Sequence, residues 1–352
     1  MMTMLPGDFI SQLSSNPILS ITVVLTLGVL LVNGWTDAPN AIATCVASRS
    51  LPVRQAVLMA ASFDFLGVFV MTLINSSVAQ TIYKMVDFQG DLNASLAALC
   101  AAMVAIIIWA TLAARLGIPT SEGHALIAGL SGAAIALQNG LSGINGDEWI
   151  KVVYGLFLSV LVGFTAGFGL ARTAQSLFRS IDRRQAGPFF IKAQILASAG
   201  MAFMHGAQDG QKLMAVVILG IMLVNRVDPT VAFQIPIWLM LLCGLVMATG
   251  TAMGGRRIIK TVGMDMVRLE PYQGFAADAG AASSLLLSSL LGWPVSTTHT
   301  KTTAIMGVGV ARRFSEVKWK VVRGMAAAWL LTFPGCGLVG YLMTFLFIRL
   351  FA

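Results

Sequence analysis

Charge is what this sequence has least of. Asp, Glu, Lys and Arg make up 11% of its 352 residues, where a soluble domain carries about 25%. So few charges cannot clothe a water-facing surface, and 57% of the chain is hydrophobic. The net charge of +8 is therefore not read as the footprint of nucleic-acid binding. The basic residues lie mostly between apolar blocks, where they set membrane topology. Cysteine is scarce as well. Cys45, Cys100, Cys243 and Cys336 stand singly inside apolar stretches, with neither metal spacing nor a disulfide framework. No Lys or Arg precedes Arg49. A secretory leader needs a basic start, so the first apolar block is expected to stay as a span. No Gly-rich loop followed by Lys and Ser or Thr occurs, so no ATP-driven pump is indicated.

What the chain has instead is apolar blocks long enough to cross a bilayer, each of about 20 residues. Ten can be drawn, near 17–48, 55–80, 92–114, 118–137, 149–171, 193–224, 231–251, 272–291, 294–310 and 324–351. The first and sixth are too long for one simple span. Each is interrupted by a polar stretch, Asn33 to Asn40 and His205 to Lys212, and both are expected to be broken helices lining a cavity. The most basic loops are 172–192, 252–270 and 311–323, and the positive-inside bias assigns them to the cytoplasm with the N-terminus outside. Five blocks precede the central basic loop, an odd number. The expected organisation is a first inverted repeat over 1–171, a basic cytoplasmic linker over 172–192 and a second inverted repeat over 193–352. The fold class is an all-α polytopic membrane protein with broken helices, re-entrant hairpins and about 10–12 membrane segments.

The two halves also repeat short motifs. Gly34-x-x-Asp37 recurs as Gly206-x-x-Asp209, and Pro119-x-Ser121-x-x-His124 recurs as Pro294-x-Ser296-x-x-His299. The offsets, 172 and 175, are nearly equal. Two motifs repeating in the same order at one offset is a strong signal. All three histidines lie in or beside these motifs, and five acids fall within apolar blocks: Asp37, Asp64, Glu122, Asp209 and Asp278. Ionisable groups at membrane depth are costly and mark function. The Pro-x-Ser motifs look like helix starts with proline in the first turn. Such a start offers free N–H groups and partial positive charge to a tetrahedral oxyanion, and Thr120, Ser121, Ser296, Thr297 and Thr298 add hydroxyl donors. Asp37, Asn40 and Asp209 supply the oxygens that hard cations prefer. An anion site beside a carboxylate site is the makeup of a symporter.

Gly34-Trp35-Thr36-Asp37-Ala38-Pro39-Asn40-Ala41 resembles the repeated signature G-A-N-D-x-x-N-A of the inorganic phosphate transporter (PiT) family. His205 to Lys212 is similar to its second copy, and Pro294-Val295-Ser296-Thr297-Thr298-His299 matches the family's P-V-S-T-T-H. The resemblance covers about 20 to 350. It implies an inverted-repeat fold, phosphate uptake driven by Na+ or H+, and homodimers. It also places Asp64 and Asp278 where the family usually carries Glu. The chain departs from the pattern at Thr36 and Gln208, which replace Asn, at Lys212, which stands where the second copy would have Asn, and at Glu122-Gly123, which replaces the hydroxyl-rich middle of the first Pro-x-Ser motif.

The expected function is import of inorganic phosphate across the inner membrane by symport, with Na+ or H+ as the coupling ion and no cofactor. The substrate side is assigned to Thr120, Ser121, Ser296, Thr297, Thr298 and Lys212. Ion coupling is assigned to Asp37, Asn40, Asp209, Gln208, Glu122, Asp64 and Asp278, with Asp37, Asn40 and Asp209 as Na+ ligands. A proton or anion role falls to His124 and His299, whereas His205 reads as structural. Lys212 is close enough to Asp209 to pair with it on a helix, and Lys301 is expected to pair with an acid or reach the membrane surface. Two alternatives stand beside this reading: carriage of another tetrahedral oxyanion such as sulfate, and a membrane-embedded lipid phosphatase or transferase using His and Asp. No catalytic residue is assigned.

Overall fold

The computed structural model describes residues 5–88, 90–227 and 234–351. The outer limits of the two expected halves and the start of the seventh block, 231–233, lie outside the described residues. The described chain folds into α1 (Pro6–Ser15), α2 (Pro17–Thr36), α3 (Pro39–Ala47), α4 (Val53–Leu66), α5 (Thr72–Ile74), α6 (Ser77–Met85), α7 (Leu92–Leu116), α8 (Glu122–Gln138), α9 (Gly146–Leu177), α10 (Arg183–Val224), α11 (Ile237–Met253), α12 (Arg256–Lys260), α13 (Pro271–Leu290), α14 (Thr297–Arg312) and α15 (Trp319–Phe351). A π turn over Gly67–Met71 joins α4 to α5, and a second, Thr261–Asp265, follows α12.

Local chemistry accounts for the boundaries. Asn16, Asp91, Asn145 and Asp182 cap the starts of α2, α7, α9 and α10 with side chains that accept backbone N–H bonds. Gly117, in the left-handed region at φ 70°, ends α7. Among the described residues six helical stretches are long and apolar enough to cross a membrane: Pro17–Ala47, Val53–Ile74, Leu92–Leu116, Gly146–Leu177, Arg184–Val224 and Trp319–Phe351. A bent pair, Ile237–Met253 with Arg257–Asp265, makes a seventh candidate. Helices α8 and α14, of 17 and 16 residues, are about 25 Å long, short of the roughly 30 Å hydrocarbon core.

Three expectations need correction. The first long block is broken as expected, because Pro39 has no N–H to continue the ladder beyond Thr36. The sixth is not: α10 runs unbroken through His205–Lys212. That stretch contains Gly206 and Gly210 but no proline, and glycine weakens a helix without stopping it. The basic segment 172–192 is mostly helix, since α9 ends at Leu177 and α10 begins at Arg183. Finally, Pro119 and Pro294 do not open helices. They stand two residues before the caps, which are Ser121 and Ser296.

Helix α10 is the central element. In its most apolar window 89% of the residues are buried, against 22% for α15 and 28% for α9 at the periphery. Packing contacts come in pairs. Helix α8 packs on α15 and α14 on α9; α7 on α8 and α13 on α14; α2 on α7 and α10 on α13; α2 on α11 and α10 on α4. The motif glycines sit at two of these crossings. A Cβ on Gly34 would overlap the carbonyl oxygen of Met247, and one on Gly250 that of Leu31. At the matching crossing, Gly206 faces the Asp64 carbonyl and Gly67 the Phe203 carbonyl in the same way. Backbones this close leave no room for a methyl group.

Gly34→Ala and Gly206→Ala should each destabilise the protein by about 1–3 kcal/mol or more through overpacking. Thermal unfolding in detergent should show a lower midpoint for both; unchanged midpoints would mean that the crossings can open.

Candidate functional site

Four pieces of chain meet at the middle of the bundle. The break between α2 and α3 brings Asp37 and Asn40. The central turns of α10 bring His205, Asp209 and Lys212. The start of α8 brings Thr120 to His124, and the start of α14 brings Ser296 to His299. All of these residues are buried.

Two carboxylates organise the centre. Asp37 Oδ1 accepts from the Asn40 side-chain amide at 2.7 Å and from the Thr298 hydroxyl. Asp209 Oδ1 accepts from Lys212 Nζ at 2.7 Å. The Thr297 hydroxyl lies between the two acids, 3.1 Å from Asp209 Oδ2 and 3.5 Å from Asp37 Oδ2. His205 turns Nε2 toward Asp209 at 3.5 Å and Nδ1 toward Asp64 at 2.9 Å. Asp37, His205 and Asp209 each offer one ligand atom, and these atoms lie within 4.8 Å of one another. Carboxylate oxygens at this spacing, with the side-chain oxygen of Asn40, unpartnered among the described residues, beside them, can hold a hard cation.

The two helix starts face each other. Ser121 Oγ accepts from the His124 N–H at 3.2 Å and Ser296 Oγ from the His299 N–H at 3.1 Å. Each serine is thus an N-cap, which leaves its hydroxyl proton free to meet an anion. Thr298 Oγ1 comes within 3.2 Å of the Thr120 carbonyl and links the starts directly. The His124 and His299 rings meet edge to face, with centroids 4.7 Å apart. His299 also lies 3.9 Å from the Trp329 ring, and His124 lies 5.1 Å from that of Phe333. Among the described residues none of the four ring nitrogens has a hydrogen-bond partner, so neither histidine donates to a carbonyl there. Glu122 accepts from the Thr36 hydroxyl through one oxygen. It lines a small pocket with Asn33, Gly123, Asp209 and Lys212. Its other oxygen and that of Asn33 are buried without a partner among the described residues, as befits a site for a polar guest.

Three residues assigned from sequence lie apart from this centre. Gln208 turns its amide to Ser289 at 2.8 Å and to the Trp293 carbonyl at 3.3 Å, so it pins α10 to the turn before α14. Asp64 is held by His205 and by Thr251 at 2.7 Å, and reaches the centre only through the imidazole. Asp278 forms a closed cluster with Lys301, Ser198, Thr44 at 2.7 Å and Gln194 at 2.8 Å. Lys301 pairs with an acid, as one reading of the sequence has it. Thr44, Gln194, Ser198 and Thr251 were not singled out by sequence reasoning. The signal was there for Gln194 and Ser198, polar residues one helical turn apart in an apolar run, but nothing local points to their partner.

Lys301→Met should cost about 3–5 kcal/mol, because it leaves Asp278 charged and unpaired in the interior. Adding Asp278→Asn removes that charge and should recover more than half of the loss in thermal unfolding. A double variant as unstable as the single one would show that Lys301 acts through packing alone.

The chain matches the model of the phosphate transporter family over residues 33–340. It is 33% identical over 335 residues to a Bacillus subtilis protein described as "Probable low-affinity inorganic phosphate transporter", covering 95% of this chain and 98% of that one. A Rhizobium meliloti protein of the same description is 34% identical, covering 94% and 96%. Among solved structures, one described as "The sodium-dependent phosphate transporter" superposes with a TM-score of 0.84 at 25% identity, covering 95% of this chain and all of that one.

Proposed function

The chain belongs to the phosphate transporter family, and on that premise we propose that it imports inorganic phosphate across the inner membrane by symport with Na+ or H+. The carrying observation is the position of Thr297. It is the first residue of α14, beside the Ser296 cap, and its hydroxyl lies between Asp37 and Asp209. A helix start suited to an oxyanion and a carboxylate pair suited to a cation therefore share one residue. A cation bound by the acids would offset the charge of phosphate at the paired starts of α8 and α14. Without that cation, the uncompensated carboxylate charge beside a phosphate would repel it. This mutual dependence of anion and cation is the physical content of symport.

Phosphate is preferred over sulfate because the relatives' names specify it, and because hydrogen phosphate can donate to a carboxylate such as Asp37 whereas sulfate cannot. The structural neighbour is described as sodium-dependent, which favours Na+ over H+. The paired helix contacts, and the matched caps at Ser121 and Ser296, support two repeats related by a pseudo-two-fold axis in the membrane plane, with the site at their junction.

The test is radiolabelled phosphate uptake into proteoliposomes, with Na+ and pH gradients imposed separately and sulfate as competitor. The wild type should concentrate phosphate under at least one gradient. Asp37→Asn should abolish driven uptake while the protein remains folded and inserted. Ser121→Ala and Ser296→Ala should each weaken phosphate binding by about 1.5–3 kcal/mol, the worth of a hydrogen bond to a charged group. Phosphate affinity equal to the wild type's in both serine variants would remove the helix starts from the substrate site, and equal competition by sulfate would widen the substrate class.

A further inference from the structure

The carboxylate pair is symmetric in position but not in partners. Asp37 and Asn40 stand three residues apart, with Asn40 Nδ2 2.7 Å from Asp37 Oδ1. Asp209 and Lys212 have the same spacing, and Lys212 Nζ lies 2.7 Å from Asp209 Oδ1. An amide that can offer both a donor and an oxygen in one half is thus replaced by a fixed positive charge in the other. Beyond Asp209, Nζ donates to the Val295 carbonyl at 2.6 Å. The ammonium sits between a carboxylate oxygen and a carbonyl oxygen, the ligand types that a monovalent metal ion would take.

A second position makes room for it. Ser121-Glu122-Gly123 aligns with Ser296-Thr297-Thr298 across the repeated motif. Thr298 gives its hydroxyl to Asp37. Its counterpart, Gly123, has no side chain, and the Lys212 stem runs through the space that one would fill. A Cβ on Gly123 would lie 2.8 Å from Nζ, 3.4 Å from Cδ and 3.5 Å from Cε. A serine or threonine at 123 would therefore push the Lys212 ammonium off its present position between Asp209 and the Val295 carbonyl. Lys212 is only 1% exposed, so its ammonium lies inside the bundle and not at the membrane surface.

We propose that Lys212, admitted by Gly123, is a resident cation for Asp209, and that it takes the place of one mobile cation in each transport cycle. The inference rests on the symport reading above and adds to it a determinant of stoichiometry. The protein would carry the ion associated with Asp37, while the half that contains Asp209 is already neutralised. Replacing the lysine with an amide should open the Asp209 oxygens to a further ion.

The experiment compares wild type, Lys212→Asn, Gly123→Ser and the double variant in proteoliposomes. The net charge moved per phosphate is read from the membrane potential that just stops uptake, at fixed pH. Lys212→Asn should raise this ratio by one and steepen the dependence on the driving cation. Gly123→Ser alone should reduce uptake at least tenfold, because the serine displaces the lysine. The double variant should bring uptake back to within a few-fold of Lys212→Asn, with the raised ratio. A second readout is independent of transport: in detergent without phosphate, Na+ should raise the unfolding temperature of Lys212→Asn more than that of wild type. An unchanged charge ratio in Lys212→Asn, or a double variant no better than Gly123→Ser, overturns the proposal. If both variants lacking the lysine fail to fold, Lys212 is a structural strut and the proposal falls as well. Failure of the wild type to take up phosphate would instead remove the symport reading itself.

Discussion

The structure is built around the burial of Asp37 and Asp209 within reach of each other at the centre of a membrane bundle. Two carboxylates in a medium of low polarity repel each other and lose their hydration, which in an apolar interior costs several kcal/mol per charge. Such a pair persists only where other groups compensate it. Here the compensation is specific and unequal: the amide of Asn40 and the hydroxyl of Thr298 for one acid, the ammonium of Lys212 and the edge of His205 for the other, and Thr297 between them. These donors come from three different helices, α3, α10 and α14, so the centre forms only when the bundle is closed. A cation drawn to Asp37 would relieve the remaining repulsion, and an anion at the two helix starts would gain from that cation in turn. On the proposed symport reading, coupling would follow from electrostatics before any motion is considered.

Bringing those helices together requires their backbones to approach closely, and this explains glycines that carry no chemistry. Gly34 and Gly206 precede the two acids by one helical turn, and each lies against a carbonyl oxygen of a neighbouring helix. The same device recurs where α8 meets α15 at Gly132 and where α14 meets α9 at Gly307. The glycine and the acid of each Gly-x-x-Asp motif therefore do different work. The first sets the distance between helices, and the second uses the space so defined.

Much of this was legible in the sequence. The all-helical membrane class followed from hydropathy, and the acids and hydroxyls at the centre followed from two motifs repeating at one offset. What could not be read is instructive. A polar, glycine-containing stretch reads alike in both halves, yet only the one with Pro39 breaks its helix. His205 to Lys212 stays helical because every residue there still has an N–H to give. Gln208 occupies a motif position, but its amide turns to Ser289, a partner 81 residues away that no local pattern identifies. Asp278 was visible as a buried acid, whereas its enclosure by Thr44, Gln194, Ser198 and Lys301 depends on the meeting of α3, α10, α13 and α14. Periodicity reports which face a helix buries and is silent on which buried polar groups will find each other.

Asymmetry inside a near-symmetric frame is the last consequence. If the two halves carried identical residues, the acids would have equal claims on any cation, and a full site would hold both or neither. Among the departures from symmetry, three lie close together at the site. Lys212 stands opposite Asn40, Glu122 opposite Thr297, and Gly123 opposite Thr298. These changes are mutually consistent. The lysine adds a positive charge and needs the space left by the glycine. The glutamate adds a negative charge in the pocket that the lysine also lines, with Thr36 as its donor. The sum of fixed charge is preserved while its distribution is not. Of the three changes, the lysine alone would crowd a side chain at 123, the glutamate alone would add an uncompensated charge, and the glycine alone would leave an unfilled space, so they form one coherent alteration of the site.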